Sequence, residues 1–136
     1  MEKIKAAVVG YGNIGKYVLE ALETAPDFEI AGIVRRNGAA DCPKELQGYT
    51  IVRKITELAK PDVAILCVPS RKTEEYAKEI LPLGINTVDS FDIHTLIPET
   101  RKHLQQVAEE SGKVAIISAG WDPGTDSIVR ALMQAM

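Results

Sequence analysis

An α/β fold, doubly wound around a mostly parallel six-stranded sheet, is predicted for this chain from three observations. Short apolar runs rich in β-branched residues alternate with longer segments of helical period, the pattern of repeated βαβ units whose sheet is covered on both faces. The first run, Ile4 to Val9, passes directly into Gly10-Tyr11-Gly12-Asn13-Ile14-Gly15, and that G-x-G-x-x-G turn opens an amphipathic segment. The chain has 136 residues, 46% of them hydrophobic, enough to bury one core and short for two. Together these describe an NAD(P)-binding Rossmann fold, with residues 1–136 read as one dinucleotide-binding domain.

The six expected strands are Ile4 to Val9, Glu29 to Val34, Thr50 to Arg53, Val63 to Cys67, Asn86 to Asp89 and Val114 to Ser118. Helices are expected at Asn13 to Thr24, Ile55 to Ala59, Lys72 to Leu83, Ile97 to Gly112, and from Thr125 onward. In the first helix, Ile14, Val18, Leu19 and Leu22 fall at helical spacing, so all four are expected to pack on the sheet. The polar, Gly- and Pro-containing stretch 37–49 reads as a surface loop. The last helix stops with neither a glycine cap nor a polar tail, so the chain reads as cut.

Composition removes several classes of function. The net charge is -3, with 16 basic and 19 acidic residues and no long run of either sign, so neither nucleic acid nor an anionic membrane surface is an expected partner. No apolar stretch approaches the roughly 20 residues of a membrane helix, and the N-terminus lacks the apolar core of a secretory signal. Cys42 and Cys67 form no CxxC pair, which argues against a disulfide framework and fits a cytoplasmic protein. His94 and His103 lack partners at metal-ligand spacing, so no metal is expected.

The glycine turn is the firmest functional signal. Gly10 permits the tight turn, Gly12 admits the pyrophosphate to the backbone, and Gly15 lets the helix approach the strand. Free amide groups and the positive dipole end of the helix then receive the phosphates. The competing reading, that the glycines merely join a strand to a helix, leaves the full strand-turn-helix context unexplained. Where an NAD-specific domain places an acidic residue, the second strand ends in Arg35-Arg36. Paired guanidinium forks suit a 2′-phosphate, so the expected cofactor is NADP, although both arginines also fit a solvated loop.

Ligands of open α/β sheets lie beyond the carboxyl ends of the strands. Cys67, Pro69 and Ser70 follow the fourth strand and are placed beside the cofactor, a position that serves equally as a plain connection. The fifth strand leads to Asp89-Ser90-Phe91-Asp92, and the sixth to Gly120-Trp121-Asp122-Pro123-Gly124. Asp92 and Asp122 are the candidate pair to grip a substrate ammonium and take up a proton as the nitrogen becomes an imine. The alternatives are that Asp89 only caps a turn and that Asp122 caps the last helix, with Pro123 at its first helical position.

The glycine turn, Arg35-Arg36, Val88-Asp89-Ser90-Phe91-Asp92 and Gly120-Trp121-Asp122-Pro123-Gly124 together resemble the N-terminal part of meso-diaminopimelate dehydrogenases. The resemblance implies NADP-dependent oxidative deamination of meso-2,6-diaminopimelate at its D-centre, giving L-2-amino-6-oxopimelate and ammonia in the lysine pathway. It implies catalytic and substrate-binding roles for Asp92 and Asp122, a pocket-lining role for Trp121, and cofactor contacts from Gly10 to Gly15, Arg35 and Arg36. It also implies a second domain, absent from residues 1–136, that completes the substrate site and forms a homodimer. The chain departs from some members at Leu96, where they carry an acidic residue, and at Arg71-Lys72. Two other classes fit the glycine turn: a stand-alone NADP-sensing module, and another NADP oxidoreductase such as a dihydrodipicolinate-reductase-like enzyme.

Overall fold

The computed structural model describes residues 2–136, with strands in the sheet order β3-β2-β1-β4-β5-β6. That is the strand order of a dinucleotide-binding doubly wound sheet. The chain divides into two compact units, one running to Val68 and one spanning Pro69–Met136.

The first unit contains β1 (Ile4–Val9), α1 (Asn13–Thr24), β2 (Phe28–Val34), β3 (Ile51–Val52) and β4 (Val63–Leu66). β1 lies between β2 and β4, and all of its pairings are parallel. A strand so enclosed must be apolar on both faces, which is why Ala6, Ala7, Val8 and Val9 form an unbroken buried run. Leu19 and Leu22 of α1 close over Ala6, Val8 and Ile33. Truncating Ile33, fully buried there, is expected to cost about 2–5 kcal/mol.

Three expectations fail in this unit. Ile14 is 55% exposed, because the face of α1 that meets the core runs through Gly15, Leu19 and Leu22, and Ile14 lies beside that face at the open start of the helix. The supposed surface loop contains a 3₁₀ turn at Lys44–Leu46, and Leu46 is buried in the core cluster. A single leucine in a polar stretch has no periodicity to reveal it. The expected helix after β3 is likewise only a 3₁₀ turn, Ile55–Glu57.

The second unit contains α2 (Ser70–Ile80), β5 (Asn86–Asp89), α3 (Ile97–Ser111), β6 (Ala115–Ile116) and α4 (Thr125–Ala135). α2 begins at Ser70, two residues before its expected start, and gives way to a 3₁₀ turn over Leu81–Leu83 because Pro82 ends α-helical bonding. α3 starts at a proline-containing first turn and stops at Gly112, whose left-handed backbone returns its N–H to Ala108 and Glu109. Thr100, Leu104 and Ala108, four residues apart, form its buried stripe. β6 pairs in parallel with β5 over two residues only, shorter than the expected Val114 to Ser118, and α4 buries none of its residues. No helix among the described residues is long and apolar enough to cross a membrane.

Candidate functional site

Parallel pairing brings three strand ends of the first unit to one edge. Val9 is in register with Val34 of β2 and Leu66 of β4, so Gly10, Arg35 and Cys67 emerge side by side. The Gly10 N–H donates to the Val34 carbonyl at 2.9 Å, and the Cys67 N–H donates to the Val9 carbonyl at 2.7 Å. Gly10 adopts φ +93, and a Cβ there would lie 2.5 Å from the Cys67 carbonyl oxygen, so only glycine fits. A Cβ on Gly15 would strike the Gly10 carbonyl; this contact seats α1 against β1.

Gly12 differs from its neighbours. It is the N-cap of α1 with φ -105, and a Cβ there meets no atom within 4 Å. No side chain caps the helix. The first-turn amides thus face open space, the arrangement a dinucleotide pyrophosphate requires. Asn13 and Ile14 are exposed beside this opening, while the Tyr11 ring packs on the core cluster. Burial, followed by the nearby Glu45 carboxylate, raises the pKa of the Tyr11 hydroxyl.

The two arginines have different environments. Arg35 turns back on its own loop, donating to the carbonyls of Gly38 at 3.1 Å, Ala40 at 3.4 Å and Asp41 at 3.5 Å. Arg36 is exposed in the turn that follows β2. Cys67 is half-buried, and burial pushes its thiol up to about 12, which keeps it protonated and rules out a thiolate role at neutral pH.

In the second unit, both carboxylates leave strand ends, and each has acquired a partner. Ser70 Oγ donates to Asp92 Oδ1 at 2.5 Å, joining the start of α2 to the loop after β5. Asp122 Oδ1 accepts from Arg130 Nη2 of α4 at 2.8 Å, with His94 Nε2 at 3.8 Å. Trp121 is 70% exposed, available to a ligand and absent from the core. Gly120 and Gly124 bridge the base of its loop. α4 is capped by Gly124 and begins at Thr125, so Asp122 does not cap this helix.

Beneath these loops, Asp89 is 3% exposed. Its Oδ1 accepts the N–H groups of Phe91 at 2.9 Å and Ser118 at 3.0 Å. Burial raises its pKa against the lowering effect of those two bonds. Sequence reasoning gave Asp89 only a turn-capping role, which its bond from the Phe91 N–H bears out, and did not single out Arg130. An aspartate ending a strand signals only a turn, and an arginine eight residues beyond Asp122 is legible as its partner only once the loop geometry is known. No group of three or more His, Cys, Asp and Glu side chains able to hold a metal occurs among the described residues.

The family model described as an oxidoreductase family with an NAD-binding Rossmann fold matches residues 4–119. The chain belongs to this oxidoreductase family. The match spans the glycine turn, both arginines and the β5 loop, and it ends just before the Trp121-Asp122 loop. The narrower resemblance to meso-diaminopimelate dehydrogenases is borne out by the relatives within this oxidoreductase fold. The chain is 64% identical, over its whole length, to the meso-diaminopimelate D-dehydrogenase of Bacteroides fragilis, of which it covers 46%. An engineered D-amino acid dehydrogenase bound to NADP+ superposes with a TM-score of 0.84 at 33% identity, over 98% of this chain and 41% of that one. The C. glutamicum DAP dehydrogenase in complex with DAP superposes at 0.82 and 34% identity, over 99% of this chain and 42% of that one. The chain thus spans less than half the length of these relatives.

Proposed function

We propose that residues 1–136 form the NADP(H)-binding domain of an enzyme that oxidatively deaminates meso-2,6-diaminopimelate at its D-centre to L-2-amino-6-oxopimelate and ammonia, in the cytoplasm. The observation that carries this reading is the pair of strand-end loops, one bearing Asp92 and the other Trp121 and Asp122, in a chain 64% identical to a meso-diaminopimelate D-dehydrogenase. The open first turn of α1, bordered by Gly10, Tyr11, Gly12, Asn13, Ile14 and Gly15, supports pyrophosphate binding. Arg36 supplies a guanidinium to the 2′-phosphate, and Arg35 shapes the loop that presents it. Cys67, Pro69 and Ser70 border the cofactor.

Bound NADP+ supplies a hydride acceptor. Asp92 and Asp122 hold the substrate ammonium by charge-assisted hydrogen bonds, aligning its Cα–H bond. As that bond breaks, the nitrogen loses a proton to a carboxylate and becomes an imine; water then attacks the imine carbon and releases ammonia. The exposed Trp121 covers the substrate carbon chain. A further domain supplies the remaining substrate contacts and a homodimer interface.

Parallel fluorescence titrations with NADPH and NADH, repeated after Arg35 and Arg36 are both changed to Ala, test the cofactor assignment. NADPH should bind more tightly, and the double variant should lose that preference; equal NADH binding would overturn it. NADPH formation from meso-diaminopimelate, with the L,L and D,D isomers as controls, tests the reaction. Full turnover by residues 1–136 alone would refute the requirement for a second domain.

A further inference from the structure

Asp89 carries a partly unsatisfied carboxylate at a depth where such a group is costly. Its Oδ2 is buried without a partner among the described residues, as is Ser118 Oγ. Its other two oxygens are both bonded. Oδ1 receives Phe91 N–H and Ser118 N–H, and the main-chain carbonyl receives Ala119 N–H at 2.8 Å. Phe91 directly precedes Asp92, and Ala119 begins the run to Trp121 and Asp122. Ser118 is held at φ +58, a conformation that a serine seldom adopts without support. For stability alone, a neutral side chain would serve better here.

We propose that Asp89 is a positioning residue, a clamp that joins the β5 and β6 loops so that Asp92 and Asp122 can receive one ammonium group between them. This rests on the amine-dehydrogenase reading above. Asp89 is closed off from solvent and acts through the loop backbones. A single acceptor atom bonded to both loops transmits any displacement of one to the other.

The test uses the ¹⁵N-labelled full-length enzyme, in which the further domain completes the substrate site, with saturating NADP+, comparing wild type with Asp89→Ala and Asp89→Asn. Asp89→Ala should lower exchange protection at the Ser118 amide about tenfold or more, as expected for a lost buried acceptor. It should also shift the Asp92 and Asp122 amide signals together and weaken meso-diaminopimelate binding by about tenfold. Asp89→Asn keeps an acceptor oxygen and should restore all three, with NADPH affinity unchanged in both variants. Unaltered Asp92 and Asp122 signals in Asp89→Ala, or equal damage from Asp89→Asn, would overturn the clamp. If Asp89→Ala does not fold, a wild-type pH titration decides. The clamp requires the Phe91, Ser118 and Trp121 amides to share one midpoint, and independent midpoints would refute it. Failure of wild type to respond to meso-diaminopimelate would instead sink the substrate reading, while exchange protection and loop signals still judge the clamp.

Discussion

Arg130 Nη2 lies 2.8 Å from Asp122 Oδ1, and Arg130 Nε lies 3.0 Å from Asp126 Oδ2. One guanidinium therefore spans the loop and the first turn of α4, a helix with no buried residue of its own. The Arg130 side chain is 58% exposed, so solvent screens both pairs. Arg130→Ala should cost less than about 1 kcal/mol in overall stability. It should accelerate amide exchange throughout α4, more at low salt than at high salt. Exchange mass spectrometry at two ionic strengths checks this; a salt-independent effect would mean that packing, and not charge, holds α4.

The arginines after β2 should separate in single variants. Arg36→Ala removes an exposed guanidinium without disturbing the loop carbonyls, so NADPH affinity should fall roughly 10- to 100-fold, the range for a lost charged hydrogen bond. NADH affinity should hold. Arg35→Ala strips the carbonyls of Gly38, Ala40 and Asp41 of a donor, so it should loosen that loop and weaken both cofactors. Titration of each variant with both cofactors distinguishes the two patterns.

Much of this was legible in the sequence because it depends on short-range rules. Strand, glycine turn and helix are contiguous from Ile4 to Thr24, and the pairing of Val9 with Val34 and Leu66 follows from the parallel order. What was not legible depends on distant partners. Leu46 reaches the core from a polar stretch, Ile14 fits the helical stripe yet faces outward, and Arg130 meets Asp122 across a loop. The Asp92 and Asp122 loops could be placed by topology, but the Ser70 and Asp89 contacts that tie them down could not.

Asp89 gives a pH dependence of defined sign. Burial raises its pKa in the folded state, so the native protein binds this proton more tightly than the unfolded chain. Its contribution to stability is greatest below the ordinary carboxylate pKa and falls as pH rises to the raised value. Asp89→Asn should flatten this decline. Denaturant unfolding at several pH values checks it, and a decline unchanged by the substitution would assign it to another group.

Cys67, held protonated with its thiol at about 12, should resist alkylation in the native chain. At pH 8 its thiolate fraction would be more than about a thousandfold below that of an ordinary cysteine. Modification by iodoacetamide should therefore be slow until denaturant exposes it. Rapid native labelling at Cys67 would mean that the end of β4 opens readily.

Gly12 and Gly15 sit three residues apart in one motif, and alanine should affect them in opposite ways. At Gly12 the backbone has φ -105 and the added Cβ meets nothing within 4 Å, so Gly12→Ala should fold with nearly wild-type stability. The same methyl group would occupy the space through which the pyrophosphate approaches the α1 amides, so NADPH binding should fall by about tenfold or more, with no stability change to explain it. At Gly15 the Cβ would strike the Gly10 carbonyl, and relief would require α1 to move away from β1. Gly15→Ala should therefore destabilise the fold by about 1–3 kcal/mol, the usual cost of overpacking. Thermal unfolding and NADPH titration of the two variants separate a glycine kept for the ligand from one kept for the fold. A Gly12→Ala protein that binds NADPH normally would remove the pyrophosphate from this turn.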